Sequence, residues 1–155
     1  MNSNNTLDFK GFGNNLYMRN NEGSLVMGLD NYNQNNLFQV APNHELHSAM
    51  KRLFNELKSV DEMRHMDGNR FEWVSESMGV PEAQSKLVIR EAKDIYFIEF
   101  FKSKFDTLSS NDTCEIRFKE TDGSDPKVSK AFYDMYKYLL MRQVQEEIKE
   151  DSHLK

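Results

Sequence analysis

Cysteine is almost absent: the 155-residue chain holds one, Cys114. One thiol cannot close an intrachain disulfide, and it cannot build a paired-cysteine zinc site. With nine methionines beside it, the expectation is a reducing, cytoplasmic setting. Glycine is scarce as well, with seven residues. Neither G-x-x-x-x-G-K-[ST] nor G-x-G-x-x-G occurs, and no helix is expected after Gly11-Phe12-Gly13, so no phosphate-cradling loop is expected. The nucleophile elbow G-x-S-x-G is missing too. There is no excess of positive charge: twenty basic residues stand against twenty-five acidic ones, a net charge of −5. That balance disfavours a nucleic-acid binder driven by electrostatics, and it falls short of the dense acidity of a DNA mimic. No run approaches the roughly 18 apolar residues needed to cross a bilayer, so no membrane partner is expected. The start, MNSNNTLDFKG, has neither a basic nor an apolar region and does not read as a secretory signal.

What is present is an ordinary globular balance, with 29% charged and 38% hydrophobic residues. The length suits one domain over residues 1–155, with residues 1–6 and 150–155 as loose ends. Twelve of the first 43 positions are asparagine. This fits a turn-rich N-terminal region, because asparagine tolerates left-handed backbone and caps turns. It also fits an AT-rich coding sequence, and with the small size it is compatible with a virus-encoded origin.

Leu16–Arg19 and Ser24–Leu29 flank the turn cluster Asn20–Gly23 and predict a hairpin. Leu37–Val40 predicts a short strand, stopped by Pro42. Leu46, Ala49, Met50, Leu53, Phe54, Leu57 and Val60 then recur at helical spacing and predict a helix over 44–60, with Asn43 as its cap. Phe71–Ser75 alternates like a strand. Residues 82–92 can be read as helix or strand. Residues 95–101 read as a strand, and a strand over 86–91 would make a hairpin with it around Ala92–Asp94. In 113–119, Cys114, Ile116 and Phe118 share one face of an amphipathic strand. Asp125 and Pro126 open a second helix over 126–149, whose stripe of Val128, Phe132, Met135 and Leu139 is widened by Leu140 and Val144. The fold class is α+β, with a mostly antiparallel sheet of about five to seven short strands and two main helices.

Four patterns bear on chemistry. His44-Glu45-Leu46-His47 is one residue short of the zinc-protease motif; a metal there would need a third ligand, for which His65 is the candidate. Cys114 on an apolar strand face reads as a small buried hydrophobe rather than a nucleophile. Glu91-Ala92-Lys93, with Glu72, Glu76 or Glu82 upstream, has the residue types of a metal-dependent nuclease or hydrolase, although such acids and lysines are common in this chain.

The fourth is Lys93-Asp94-Ile95-Tyr96-Phe97-Ile98-Glu99-Phe100-Phe101. Lys93, Phe97, Ile98 and Phe100 match positions of the central strand of the RNA recognition motif, which this stretch resembles. Phe38, just ahead of the first helix, resembles that family's second stacking ring. The resemblance implies single-stranded RNA or DNA binding through Phe38, Tyr96 and Phe97, with Lys86, Arg90 and Lys93 for phosphates. The chain departs from the family at Asp94, Ile95 and Tyr96, and Lys102–Asp112 is too short for that fold's second helix. Parity points elsewhere. Ile95, Phe97, Glu99 and Phe101 face one way and Tyr96, Ile98 and Phe100 the other, so both sides are apolar apart from Glu99. That fits a central strand covered on both faces, with one helix on each, or with both helices on one face and the other left for a partner.

The leading expectation is a non-enzymatic protein acting by protein–protein contact or self-association: a regulator, inhibitor or assembly factor. Its contact surface would be drawn from Tyr133, Tyr136, Tyr138, Phe100 and Phe101, since aromatics are favoured at interfaces. No cofactor is expected. Nucleic-acid binding and metal-dependent hydrolysis stand as alternatives.

Overall fold

The computed structural model describes residues 6–21, 23–59, 69–74, 85–103, 112–119 and 126–153. The order is β1 (Thr6–Gly11), β2 (Asn14–Asn21), β3 (Ser24–Leu29), β4 (Leu37–Val40), α1 (His47–Lys58), β5 (Arg70–Val74), β6 (Lys86–Ala92), β7 (Ile95–Phe101), β8 (Cys114–Lys119) and α2 (Pro126–His153). The class is α+β, with every strand pair antiparallel. Among the described residues the strands form two sheets of four, one more strand than the expected upper bound: β1-β2-β3-β8 and β4-β7-β6-β5. The extra one is β1, which includes Thr6, expected as a loose end.

Local chemistry explains the hairpins. Phe12 and Gly13 have φ of 50° and 79° and close the two-residue turn between β1 and β2. Lys93 and Asp94, at 53° and 65°, do the same between β6 and β7. Two left-handed residues in a row give the turn whose twist matches the flanking strands. The reading of 86–92 is thereby settled as strand; residues 82–84 lie outside the described residues, as do Val60, Asp125 and His65. The asparagines satisfy backbone at bends. Buried Asn14 donates through Nδ2 to the carbonyls of Asn35 at 3.2 Å and Leu37 at 3.3 Å, tying the first hairpin to β4. Asn31 donates to the Gly13 carbonyl at 2.9 Å, and Asn36 to that of Phe100 at 3.1 Å.

Helix α1 starts later than expected. Residues 42–46 form turns, and no side chain caps the first helical turn. The reason is His44, whose Nδ1 accepts the Leu46 N–H at 3.0 Å while its Nε2–H donates to the Lys10 carbonyl at 3.1 Å. The ring pins these residues against β1 and displaces the cap expected from Asn43. Ala49, Met50, Leu53, Phe54 and Leu57 are buried along α1, each large one contributing about 1.5–3 kcal/mol.

Both helices cover the inner side of the sheets. Phe54 of α1 sits 4.9 Å from the Phe71 ring of β5 and 5.2 Å from Tyr96 of β7. Phe132 of α2 stacks on Phe118 of β8 at 4.2 Å, and Phe118 meets Trp73 of β5 at 5.2 Å. A continuous run of rings thus joins the first sheet, α2 and the second sheet in one core. Val144, expected to widen the α2 stripe, is instead exposed, because the buried part of that helix ends at Leu139.

Candidate functional site

β7 lies inside the second sheet, between β4 and β6, as its composition suggests, but among the described residues only one of its faces is covered. Tyr96, Ile98 and Phe100 point into the core; Ile95, Phe97, Glu99 and Phe101 are half-exposed. Of the two arrangements the sequence left open, the second holds: both helices pack on the same side. Register fixes the neighbours of the open face. Phe97 lies between Gln39 and Arg90, Glu99 between Leu37 and Val88, and Phe101 opposite Lys86. Arg70 and Glu72 of β5 extend the rows beyond Arg90 and Val88.

The open face is therefore an apolar floor with charged flanks. The Arg90 guanidinium carbon stands 4.2 Å from the Phe97 ring centre, and the Lys86 ammonium 4.9 Å from that of Phe101. Each such pair contributes about 0.5–1 kcal/mol at a partly exposed site. Glu72 is held by Arg70 at 3.3 Å and Lys86 at 3.5 Å. Val88, at the centre, is fully buried beneath these longer side chains. Glu99 is the acid that marks where this face opens to solvent.

The sequence-predicted residues divide accordingly. Phe97, Lys86 and Arg90 come together on the open face. Phe38 and Tyr96 are on the core side of the same sheet, and Lys93 sits in the β6–β7 turn. Burial, then the neighbouring Glu91 carboxylate, pushes the Tyr96 phenol up. Of the expected contact surface, Phe100, Tyr133 and Tyr136 are core residues, so they cannot meet a partner in the folded chain. The cause is the wide buried arc of α2, which packs against α1 as well as β8. Phe101 remains half-exposed. Tyr138 is half-exposed between Arg52, 4.4 Å from its ring centre, and Arg142, at 5.7 Å. Its phenol is pulled down mainly by a hydrogen bond with Ser48, against the opposing effect of burial, with Arg142 helping.

Comparison with protein-family models, curated proteins and solved structures finds no match.

His44 and His47 turn to different backbone partners. His44 is tied to β1, and His47 donates through Nε2 to the Asp94 carbonyl at 2.9 Å while its ring packs 5.1 Å from Tyr96. Among the described residues no cluster of three or more His, Cys, Asp or Glu is placed to hold a metal ion. Glu72 and Glu91 project from opposite faces of the second sheet, so they cannot share an ion; Glu76 and Glu82 lie outside the described residues. Cys114 is fully buried opposite Leu29.

One cluster escaped the sequence reading. On the outer face of the first sheet the Tyr17 hydroxyl donates to Glu115, and Arg19 donates to the same carboxylate oxygen at 3.0 Å. Burial first, then the hydrogen bond to Glu115, pushes the Tyr17 phenol up. The ring lies over Gly28, which sits between Tyr17 and Glu115 in the register. The alternation of Tyr17 with Arg19 was visible in the sequence; the pairing of β3 with β8, which brings Glu115 to them, was not.

Proposed function

We propose that this is a small, non-enzymatic binding protein, acting inside a reducing compartment, whose working surface is the open face of the second sheet. The supporting observation is the pair of half-exposed rings, Phe97 and Phe101, each flanked by a cation, on a sheet face that neither α1 nor α2 covers. Aromatic and arginine side chains dominate the energetics of protein contacts. Leu37, Ile95 and the buried Val88 supply an apolar floor, and Arg70, Lys86, Arg90 and Glu99 supply a polar rim. A flat, mixed surface of this kind suits a protein partner better than a small molecule, which needs a concave site.

A second reading, single-stranded nucleic acid, draws on the same two ring–cation pairs. Rings about 13 Å apart along one strand, with guanidinium and ammonium groups beside them, are the elements of a base-stacking platform. The net charge of −5 and the acids Glu72 and Glu99 weigh against it.

The test compares wild type with Phe97→Ala/Phe101→Ala in capture from native lysate, with and without nuclease. A protein of defined mass that survives nuclease and is lost in the double variant supports the first reading. Loss of all captured material on nuclease treatment, with salt-dependent binding of a labelled oligonucleotide, favours the second. Equal capture by wild type and the double variant, when both are folded by circular dichroism, refutes the sheet face as the working surface.

A further inference from the structure

Helix α2 is 28 residues long, about 42 Å at 1.5 Å per residue. Its first half is held by the core through Val128, Phe132, Met135 and Leu139. Every residue from Met141 to Ile148 is exposed. In that stretch Met141, Val144 and Ile148 are 58%, 42% and 59% exposed. Spacings of three and four put them on one side of the helix. Arg142, Gln143 and Glu146 border a groove of about 390 Å³ against Thr6–Phe9 and fall on the opposite side. The apolar stripe thus points away from the body of the protein.

The charges are ordered too. Lys127, Lys130, Lys137 and Arg142 stand against Asp134 in the first part of α2; Glu146, Glu147, Glu150 and Asp151 stand against Lys149 in the last part. This is the reverse of what a helix on its own prefers, since the macrodipole favours acids at the N-terminus and bases at the C-terminus. A partner lying alongside in the opposite direction turns that penalty into attraction.

We propose that α2 pairs with α2 of a second copy of this chain, antiparallel and about a two-fold axis near Val144. Met141 of one copy packs against Ile148 of the other. The acidic end of each helix, Glu146 to Asp151, runs beside the Lys137–Arg142 segment of its neighbour, which sets position 151 opposite Lys137. A parallel pair would set like charges side by side over the whole length. A two-fold contact is self-complementary, and this helix is self-complementary only when reversed. The contact is small, below the area of a standard stable interface, so the dimer is concentration-dependent. It is separate from the open face of the second sheet, and Phe97→Ala/Phe101→Ala leaves it unchanged.

The test is sedimentation equilibrium of the full chain across a concentration series at low salt. Wild type follows a monomer–dimer equilibrium. Val144→Glu, a substitution at an exposed position, leaves only monomer. Lys137→Glu weakens association about tenfold, and adding Asp151→Lys restores it. Wild type that stays monomeric at every concentration overturns the proposal. So does a dimer that tolerates Val144→Glu, or a double charge reversal that stays as weak as the single one.

Discussion

Gly28 sits in an ordinary extended strand, yet it has no room for a side chain. A Cβ built there falls within 2.5 Å of the Tyr17 ring carbon Cε2 and of its hydroxyl oxygen, far inside van der Waals contact. Gly28→Ala must therefore lift the ring off the sheet. Overpacking of this kind costs about 1–3 kcal/mol, and the displaced phenol also loses its hydrogen bond to a carboxylate, about 1.5–3 kcal/mol before relaxation. Allowing the ring to keep part of that bond, the expected destabilisation is about 2–4 kcal/mol. The melting temperature falls by about 5–10 °C for a chain of this size. The decisive assay is a double-mutant cycle by urea denaturation. In a Tyr17→Ala background the space is open, and Gly28→Ala becomes neutral or slightly stabilising, because glycine is a poor strand residue. The sign of the effect thus inverts with the background. A Gly28→Ala variant as stable as wild type, or one with the same cost in both backgrounds, refutes the account.

The same tyrosine gives a pH prediction. Its folded-state pKa lies above the ordinary 10.0, so the unfolded chain loses this proton first as pH rises. The stabilisation is fully present below pH 10 and declines above it. Tyr17→Phe flattens that decline in alkaline denaturation curves, and an unchanged slope counts against the assignment. The β6–β7 turn places two non-glycine residues at positive φ, each a strained choice. Lys93→Asn/Asp94→Gly keeps the Asp94 carbonyl position that His47 uses and raises stability by about 1 kcal/mol; chemical denaturation checks it, and a loss of stability contradicts the turn geometry.

Periodicity carried the class of the fold. Leu53, Phe54 and Leu57 announce α1, and the alternation of Cys114, Ile116 and Phe118 announces β8 with its inner face. Parity separated Tyr96, Ile98 and Phe100 from Ile95, Phe97 and Phe101, but it could not say which set faces the core, since both are apolar. The answer lies in pairing: Val40 and Phe38 oppose Tyr96 and Ile98, and their burial fixes the inner side. Long-range pairing is also why Phe38 and Phe97, grouped by resemblance, lie on opposite faces. On α2 the four-residue stripe understated the buried arc, because a helix gripped from two sides hides Tyr133 and Tyr136 as well. The same stripe was extended too far, to Val144, because periodicity does not record where a helix leaves the body.

The first sheet is stitched from strands far apart in the chain. β3 finds its outer neighbour in β8, with Met27 opposite Ile116, about 90 residues later. The entropy of closing so long a loop grows only slowly with its length, but contacts this distant form late and slow the search for the native state. During synthesis the β1–β2–β3 meander emerges with the edge of β3 bare. That edge carries buried-type residues, Leu25, Met27 and Leu29, and an unpaired strand edge of that kind is a template for wrong partners. Until β8 leaves the ribosome, an edge that the finished sheet conceals stays open to wrong partners.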